Sequence, residues 1–283
     1  MSSGTRRRLD TELVRRGLAP TRADAQAAIA AGVVTVGGSP ADKPSRLVAA
    51  DEPLLVLAPA EPFASRGGRK LDAALDRFEV VTKGRRALDA GASTGGFTDC
   101  LLQRGVAQVY AVDVGHGQLD QRLRVDPRVI VLERTNARTL TLDILRTADP
   151  DFAPVPLVTA DLSFISLRSV LPALSGPLAQ EGADLVLLVK PQFEAGRAVV
   201  ARGKGVVRDP GVWRDVLESV ASALSETGTG IMGAMASPLT GPAGNVEFLF
   251  HARKGAPGRD PVGTAALIGA AVGEADRTDA AHP

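Results

Sequence analysis

Short apolar runs alternate with helical spacings of apolar residues from about residue 87 onward. The runs have the length and β-branched content of buried strands, whereas Val216, Leu217 and Val220 mark the inner face of a helix over Trp213–Leu224. Strands that alternate with helices imply right-handed crossovers and a mostly parallel sheet. The pattern therefore predicts an α/β, Rossmann-like domain. Its predicted strands are 87–89, 106–112, 129–132, 157–160, 184–189, 232–236 and 246–250.

The first sixty residues have a different pattern, in which two short helices precede short strands. Leu9 and Leu13 have helical spacing, and Thr21 is placed to cap a second helix over Ala23–Ala31. Apolar segments at 33–36 and 54–57 have the composition of strands. We therefore predict a small α+β domain that precedes the larger one.

Composition shifts place the domain boundaries. The small domain is assigned to residues 1–60, and the Pro/Ala-rich stretch that follows predicts a short, stiff linker at 61–66. The large domain is assigned to residues 67–257, and its first helix begins close to Lys70. Residues 258–283 are predicted to form a C-terminal helix followed by a loose tail.

The overall composition excludes several classes of protein. The chain has 283 residues, of which 45% are hydrophobic and 23% are charged, as in soluble globular proteins. No apolar run approaches the roughly 20 residues that span a bilayer, and the N-terminus lacks the apolar segment of a secretory signal. The single cysteine, Cys100, excludes an intramolecular disulfide, and the three histidines lack zinc-ligand spacing. We expect a cytoplasmic protein with no metal and no membrane partner.

The segment from Ala87 to Leu102 contains a glycine-rich turn between a strand and a helix. Its small residues, Gly91 to Gly96, let backbone N–H groups and a helix N-terminus approach a ligand closely. Asp113 ends the next strand, where an acid is placed to hold ribose hydroxyls. Together with Asp89 just before the turn, these features predict a nucleoside-bearing cofactor.

The turn favours one cofactor class over another. It lacks the G-x-G-x-x-G spacing that fits a pyrophosphate. The Asp89 carboxylate would also repel a pyrophosphate, whereas it suits the ammonium group of an amino acid. S-adenosylmethionine carries an ammonium and a sulfonium but no phosphate, and it is the predicted cofactor. The alternative is a turn shaped only for packing, which the matching positions of Asp89 and Asp113 disfavour.

Four polar residues lie at predicted strand ends or at a helix start, namely Lys70, Asp161, Lys190 and Glu247. Singly, such an aspartate is usually a helix cap and such a lysine the first solvated residue. Together they would converge beside the cofactor, at the edge where strands end. Two lysines and two carboxylates suit methyl transfer to a ribose hydroxyl. A neutral lysine, favoured by burial and a neighbouring cation, draws off the proton while the carboxylates orient the ammonium groups.

The formal net charge of +1 hides an uneven distribution. Six arginines lie between Thr5 and Arg22, against only Asp10 and Glu12. The plain interpretation is a solvated basic face. The other is a surface that binds a polyanion such as RNA.

Short motifs in the small domain resemble the S-four-type RNA-binding module, named after a small-subunit ribosomal protein. In that family, paired helices and an adjoining loop present basic residues to structured RNA. The resemblance implies electrostatic contacts that read RNA shape more than sequence. It covers most of residues 6–57 and rests on Arg8-Leu9-Asp10, Arg16-Gly17-Leu18-Ala19, Thr21-Arg22, Gly32-Val33-Val34-Thr35-Val36 and Lys43-Pro44-Ser45. The arginines that it assigns to RNA are Arg7, Arg8, Arg15, Arg16 and Arg22.

The large domain resembles the FtsJ-like 2′-O-methyltransferases, which carry a Lys-Asp-Lys-Glu tetrad. Among these it is most similar to the TlyA (haemolysin A) family, which joins an S-four-type module to that catalytic domain. The motifs that carry the resemblance are Ser65-Arg66-Gly67-Gly68, Leu88-Asp89-Ala90-Gly91-Ala92-Ser93-Thr94-Gly95-Gly96-Phe97-Thr98-Asp99, Tyr110-Ala111-Val112-Asp113-Val114-Gly115, Glu133-Arg134-Thr135-Asn136-Ala137-Arg138, Asp161-Leu162-Ser163-Phe164-Ile165-Ser166, Lys190-Pro191-Gln192-Phe193-Glu194 and Gly244-Asn245-Val246-Glu247-Phe248.

This resemblance implies S-adenosylmethionine-dependent methylation of cytidine ribose in 16S or 23S ribosomal RNA within ribosomal subunits. It implies a tetrad of Lys70, Asp161, Lys190 and Glu247, in which Lys190 is the general base. Arg66, close to the first lysine, is expected to contact RNA. The expected cofactor-binding residues are Asp89, Gly91, Ser93, Gly95, Gly96, Phe97, Asp113 and Asn136.

Three other functions are less consistent with the sequence. A non-catalytic RNA-binding factor would not need the intact tetrad and glycine turn. A membrane-lytic role, which the family's older name implies, lacks a transmembrane or strongly amphipathic basic helix. Base methylation lacks its usual catalytic cysteine or Asn-Pro-Pro-Tyr loop. The modified nucleotide and the oligomeric state are left open.

Two segments stand apart from these assignments. The basic loop Arg197–Arg208 is either a flexible surface loop or a closure over an unstacked target nucleotide. Family members often carry aromatic residues or a Trp-Val pair in the linker, whereas this chain has Glu61-Pro62-Phe63-Ala64. That departure puts in doubt whether the linker couples RNA binding to cofactor binding here.

Overall fold

A computed structural model describes residues 6–57, 61–258 and 260–280, without the side chains of Arg197 and of residues 278–280. The chain forms two compact units, Met1–Glu61 and Pro62–Pro283. The very end of the tail, predicted from the sequence to be loose, lies outside the described residues at 281–283.

Within residues 6–57, the N-terminal unit has the predicted two helices and five short strands that pair antiparallel, the first of which precedes the helices. Thr21 caps the second helix with a capping box, since its hydroxyl accepts from the Asp24 N–H and the Asp24 carboxylate accepts from the Thr21 N–H. Leu9, Leu13 and Ile29 pack in a small core of their own. The elements are β1 (Arg7–Arg8), α1 (Leu9–Arg15), α2 (Arg22–Ala30), β2 (Val34–Val36), β3 (Ser39–Pro40), β4 (Leu47–Val48) and β5 (Leu54–Val56). Strand β1 pairs with β4, and β3, β2 and β5 form a second small sheet.

The C-terminal unit alternates strands and helices, as the sequence predicts. Phe63, which the sequence assigns to a linker, is only 9% exposed and packs into the core of this unit. The first elements are α3 (Gly67–Arg77), β6 (Arg86–Ala90), α4 (Gly96–Gln103), β7 (Gln108–Val112), α5 (Gln121–Arg124), β8 (Val129–Leu132), α6 (Leu142–Ala148) and β9 (Val155–Ala160). The later elements are α7 (Leu171–Leu174), β10 (Ala179–Val189), α8 (Pro191–Glu194), α9 (Arg197–Arg202), α10 (Pro210–Glu226), β11 (Thr229–Ala236), β12 (Phe248–Lys254) and α11 (Pro261–Ala280).

Seven strands form one mostly parallel sheet in the order β11-β12-β10-β9-β6-β7-β8. Strands β6 to β10 are parallel to one another, whereas β12 runs antiparallel to both β10 and β11. The chain leaves β6 for β7 on one side and later returns to place β9 on the other. This reversal opens a crevice beyond the carboxyl ends of β6 and β9, where ligands of such sheets bind.

Each face of the sheet is covered by a separate apolar core. One face packs against α10 and α11 around Trp213, whose ring lies edge-on to Phe248 with centroids 5.9 Å apart. The other face packs against α3 and α4 around Leu71, Leu75 and Leu101. The apolar spacing of these helices explains the arrangement, since each buries one side against the strands. The rigid sheet holds the loops at its carboxyl edge in fixed positions.

Candidate active site

The glycine-rich turn joins β6 to α4 and forms one wall of the candidate site. Gly91 has a φ of +87°, and a Cβ at this position would lie 2.4 Å from the carbonyl oxygen of Asp161. Only glycine permits this close approach of two chain segments. Ser93 has a left-handed φ of 48°, and its N–H donates to Asp113 Oδ2 at 2.8 Å. The turn is thereby tied to the ends of both neighbouring strands.

A cavity of about 660 Å³, the strand-end cavity, opens beside this turn. Asp113, directly after β7, lines it and also accepts a backbone N–H from the next loop at 2.6 Å. Asn136 lines it as the cap of a short turn, with its Oδ1 accepting from the Arg138 N–H at 2.9 Å. Val114 and Phe164, which are 72% and 92% exposed, supply apolar surface. Acidic and apolar surfaces side by side fit the ribose and the base of a nucleoside.

Asp89 does not line this cavity, contrary to the expectation that its carboxylate meets the cofactor. Its side chain is 0% exposed, and its two oxygens accept hydrogen bonds from Thr98 Oγ1 at 2.7 Å and Thr159 Oγ1 at 3.0 Å. Burial raises the pKa of this carboxyl to about 7. Asp89 lies within β6, one residue before its end, and its side chain is held between α4 and β9. It supports the turn from inside the sheet.

The other expected cofactor residues of the turn have different positions. Gly95 directly precedes α4 as its N-cap with a φ of +98°, and a Cβ there would lie 2.2 Å from Leu123 Cδ1. Gly95 therefore serves helix packing, and the strand-end cavity is lined by Gly91 and Ser93 instead. Gly96 is pressed against Ser65, whose Oγ would lie 2.3 Å from an added Cβ. Gly96 and Phe97 line a second cavity.

That second cavity, the lysine cavity, has a volume of about 260 Å³ and brings the whole expected tetrad together. Gly91, Ser93, Asp161 and Ser163 line both cavities, which therefore adjoin. A group bound in the strand-end cavity can reach one bound in the lysine cavity at these residues. The tetrad residues that line the lysine cavity are Lys70, Asp161, Lys190 and Glu247.

The four tetrad side chains form two lysine–carboxylate pairs. Lys70 Nζ lies 2.5 Å from Glu247 Oε2, and this pair is deeply buried, at 7% and 1% exposure. Lys190 Nζ lies 2.5 Å from Asp161 Oδ1 and donates to Ser163 Oγ at 3.0 Å. The contact with Asp161 is an ion pair without hydrogen-bond alignment, since this oxygen has no aligned donor among the described residues. Each lysine thus has its own anion.

The sheet explains how residues far apart in sequence meet here. Asp161 directly follows β9 and Lys190 directly follows β10, so both lie at the carboxyl edge. Glu247 precedes β12, which runs antiparallel to β10 and pairs Phe248 with Val189. The start of β12 therefore lies beside the end of β10. Lys70 reaches the same point from the first turn of α3.

Arg66 and the N-terminal arginines differ in how free their side chains are. Arg66 is exposed and lines the lysine cavity. Arg7 is also exposed, in β1. The other expected RNA contacts are paired with the buried carboxylates of Asp10 and Glu12, at 0% and 1% exposure. Arg8 and Arg22 pair with Asp10 at 3.0 and 2.9 Å, and Arg15 and Arg16 pair with Glu12 at 2.6 and 2.7 Å.

Arg16 is the most strongly anchored of these arginines. It is 20% exposed and donates to the carbonyl oxygens of Ala49, Ala50 and Glu52 at 2.8 to 3.0 Å. The Arg16 guanidinium therefore makes internal hydrogen bonds that fix the loop containing these three carbonyl groups. The Arg15 guanidinium holds the pKa of Glu12 at about 2. Arg8, Arg15 and Arg22 keep more exposed guanidinium groups around this internal network.

Glu194 and Asn245 are buried and hold loops beside the two cavities in place, although the sequence alone assigned them no role. The Glu194 carboxylate accepts from Ser166 Oγ at 2.6 Å, from the Leu167 N–H, and from Arg168 Nε at 3.1 Å. It thereby binds the loop after β9 to α8. Asn245 Oδ1 accepts from the Val207 N–H at 2.9 Å, next to Glu247. Their only sequence signal is their place in the runs that contain Lys190 and Glu247.

The part of the chain that the structure describes contains no helix long and apolar enough to cross a membrane.

Comparisons with known proteins agree with this architecture. Residues 63–254 match the FtsJ-like methyltransferase family, and residues 7–53 match the S4 domain. These matches define the class of protein as an S4 RNA-binding domain joined to an FtsJ-like methyltransferase.

The chain belongs to the TlyA (haemolysin A) family of FtsJ-like methyltransferases. It is 52% identical over 249 residues to the 16S/23S rRNA (cytidine-2′-O)-methyltransferase TlyA of Mycobacterium tuberculosis, covering 88% of this chain and 90% of that protein. It is 49% identical over 244 residues to YqxC of Bacillus subtilis, described as a candidate rRNA methyltransferase, covering 86% and 84%. A solved structure of a candidate hemolysin from Streptococcus thermophilus superimposes with a TM-score of 0.71 at 36% identity, covering 97% and 98%.

Proposed function

We propose that this methyltransferase transfers a methyl group from S-adenosylmethionine to the ribose 2′-hydroxyl of a cytidine in ribosomal RNA, within ribosomal subunits. The observation that carries the proposal is the lysine cavity, where two lysines meet two carboxylates directly beside the strand-end cavity. The substrate is supported by the name of the 52% identical relative, which modifies cytidine in 16S and 23S rRNA. Work on ribosomes also implies a cytoplasmic location.

The lining of the strand-end cavity fits S-adenosylmethionine. Asp113 and Asn136 offer polar groups for a ribose, whereas Val114 and Phe164 offer apolar surface for a base. Gly91 and Ser93 bring the backbone close to the point where the two cavities join. When bound, this cofactor supplies an electrophilic methyl group on a positively charged sulfur.

Lys190 is the general base of the proposed reaction. A neutral amine has two N–H groups and one lone pair. Lys190 Nζ donates to Ser163 Oγ and lies beside the Asp161 carboxylate, so the lone pair of the neutral amine is left for the 2′-hydroxyl proton. The proton then resides on Lys190, where the neighbouring Asp161 carboxylate stabilises the ammonium that forms.

Lys70 has a different role because its carboxylate partner is almost completely buried. Glu247 holds the Lys70 ammonium at 2.5 Å with its Oε2, while Gly241 leaves room for its Oε1. A fixed ammonium in this position stabilises negative charge that develops on the 2′-oxygen as its proton leaves. Positioning of the hydroxyl and the methyl group supplies the remaining rate enhancement.

The RNA contacts come from exposed basic residues of both units. Arg7 in the N-terminal unit and Arg66 beside the lysine cavity are exposed. The segment after α8 adds Arg202, Lys204 and Arg208, which are also exposed. Such side chains bind phosphates without reading the sequence. The structured ribosomal subunit supplies the arrangement of phosphates that they match.

Methyl incorporation from tritiated cofactor into purified ribosomal subunits tests this function. The wild-type protein is expected to label ribose. Lys190→Ala is expected to reduce kcat by roughly 10²- to 10⁴-fold, the usual contribution of a general base, with cofactor binding retained. Lys83→Ala, at an exposed position outside both cavities, is the matched control.

Each outcome of this assay has a clear meaning. Equal labelling by wild type and Lys190→Ala would refute the role of the lysine. No labelling by the wild type on any subunit would favour the binding-only function instead. Nuclease mapping of the labelled RNA then identifies the base, since the proposal requires a cytidine.

A further inference from the structure

A third cavity, the Gln192 cavity, lies beside the proposed active site. Its volume is about 460 Å³. Phe164 and Ile165 line both this cavity and the strand-end cavity, so the two adjoin. The Phe193 ring forms another wall, tilted against the Phe164 ring with centroids 5.3 Å apart. Two aromatic rings and an aliphatic floor form a surface suited to a flat heterocycle.

Gln192 also lines this cavity, and its buried side-chain oxygen lacks a hydrogen-bond donor in the described part of the chain. Gln192 Oε1 is shut off from solvent and has no hydrogen-bond donor among residues 6–57, 61–258 and 260–280. A buried acceptor without a donor destabilises the folded protein. Such groups are rare in native proteins, and an unfilled acceptor at a cavity wall points to a donor that arrives with a ligand.

The position of Gln192 links this cavity to the proposed reaction. It lies two residues after Lys190, in the short helix α8. Lys190 Nζ lies 5.9 Å from the centroid of the Phe193 ring, so the base and the cavity wall are neighbours. A ribose held with its 2′-hydroxyl at Lys190 therefore places its attached heterocycle within reach of this cavity. The terminal torsion of a glutamine is soft, so Oε1 can turn toward an incoming donor.

We propose that the Gln192 cavity receives the base of the target nucleotide, and that Gln192 Oε1 accepts a hydrogen bond from its exocyclic amino group. This inference rests on the proposed 2′-O-methylation and assigns its base recognition. Cytosine carries an amino group at C4, where uracil has a carbonyl oxygen. The Gln192 oxygen can accept a hydrogen bond from the amino group of cytosine, whereas the carbonyl oxygen of uracil would repel it. Gln192 thus selects the base, whereas the tetrad acts on the sugar.

Three variants test this inference in methylation assays on ribosomal subunits. Gln192→Met keeps the shape and removes the acceptor, and kcat/KM is expected to fall about 10- to 100-fold. Gln192→Glu keeps acceptor oxygens at the same place, and its kcat/KM is expected to stay within about threefold of the wild type. Gln103→Met is the control, because Gln103 is exposed and already bonded to the Pro62 carbonyl and Asp99.

Stability separates base recognition from a purely structural role. Replacing an unpartnered buried acceptor by an apolar group of the same shape is neutral or stabilising. Gln192→Met should therefore unfold at the same urea concentration as the wild type or a higher one, while it loses activity. A lower midpoint together with lost activity would make Gln192 a structural residue and overturn the inference.

The failure of this inference can be told apart from the failure of the proposed function. If the wild type methylates subunits and Gln192→Met does so equally well, the base assignment is wrong and the methylation stands. If Gln192→Glu loses as much activity as Gln192→Met, the acceptor is not what matters and the inference is overturned. If the wild type itself labels no subunit, the proposed function has failed first.

Discussion

At the scale of single residues, burial separates two carboxyl groups that are neighbours in the fold. Asp113 follows β7 and lines the strand-end cavity, whereas Asp89 lies within β6 and is fully buried. Burial raises the pKa of Asp89 to about 7, although hydroxyls of Thr98 and Thr159 donate to it. The proton on this carboxyl is therefore bound more tightly in the folded than in the unfolded protein.

This difference predicts a pH dependence of stability that Asp89→Asn removes. A carboxyl whose pKa is raised on folding stabilises the protein below its ordinary pKa, near 4, and loses that contribution as the pH rises toward 7. Between pH 5 and pH 8 the free energy of unfolding of the wild type should fall by roughly 2–3 kcal/mol relative to the variant. Urea unfolding of both proteins at four pH values measures this, and parallel curves would contradict it.

Sequence patterns predict the positions of side chains that directly follow a strand. They do not predict the positions of side chains that depend on how neighbouring elements pack. Asp113, Asp161 and Lys190 each come directly after a strand, and the structure has all three at the carboxyl edge of the sheet, as the rule for parallel strands predicts. Asp89 precedes the end of β6 by one residue, and its burial depends on how α4 and β9 pack around it. Gln192 belongs to the motif that begins at Lys190, but a sequence does not show that a side-chain oxygen is buried without a hydrogen-bond donor.

At the scale of elements, the loop after β9 depends on one buried carboxylate. Glu194 accepts a side-chain hydroxyl, a backbone N–H and a guanidinium from residues 166–168. The same loop carries Leu162, Ser163 and Phe164 into the strand-end cavity. Glu194 therefore positions a cofactor wall from the side of α8, without touching the cavity itself.

Glu194→Gln is expected to weaken cofactor binding about tenfold and to lower the free energy of unfolding by roughly 1.5–3 kcal/mol, since charge-assisted hydrogen bonds are lost. The neutral amide keeps the volume but cannot accept from all three donors. Calorimetric titration with S-adenosylmethionine and urea unfolding measure the two effects. Glu226→Gln, exposed at the end of α10, is the control and should change neither. Unchanged cofactor affinity in Glu194→Gln would refute the positioning role.

In helix α1, the number of charged residues does not show which of them are free to bind a ligand. The arginines near the N-terminus outnumber the acids, which predicted a free basic face. Asp10 and Glu12 are instead buried and bind four guanidinium groups. Only the packing of the element against its loop decides which charges remain for a ligand. The match to the S4 domain confirms the resemblance of this unit to the S-four-type module. Arg16, which the resemblance assigns to RNA, instead makes internal hydrogen bonds.

At the scale of the whole molecule, the chain consists of two units, each with its own hydrophobic core or cores. The N-terminal core is built around Leu9, Leu13 and Ile29, and the larger unit has its own two cores on either face of the sheet. All residues that line the strand-end and lysine cavities belong to the larger unit. The larger unit therefore contains every element of the proposed chemistry.

A chain that begins at residue 58 is expected to fold and to bind S-adenosylmethionine with an affinity close to that of the full chain. Its binding to ribosomal subunits should weaken at least tenfold, and the slope of log K against log salt should become shallower, because fewer phosphates are neutralised. Filter binding at several salt concentrations measures both quantities. An unchanged salt slope would mean that the N-terminal unit does not contact RNA phosphates.

The position of β12 has a consequence for the order in which the protein is made. This strand is the last of the sheet to be synthesised, yet it lies between β10 and β11 and brings Glu247 to Lys70. Because domains fold as units, and the N-terminal one first during translation, the N-terminal unit can fold while the larger unit still lacks β12. The contact between Lys70 and Glu247 forms only after the start of β12 has left the ribosome. The unit proposed to bind RNA is therefore folded before the unit proposed to transfer the methyl group.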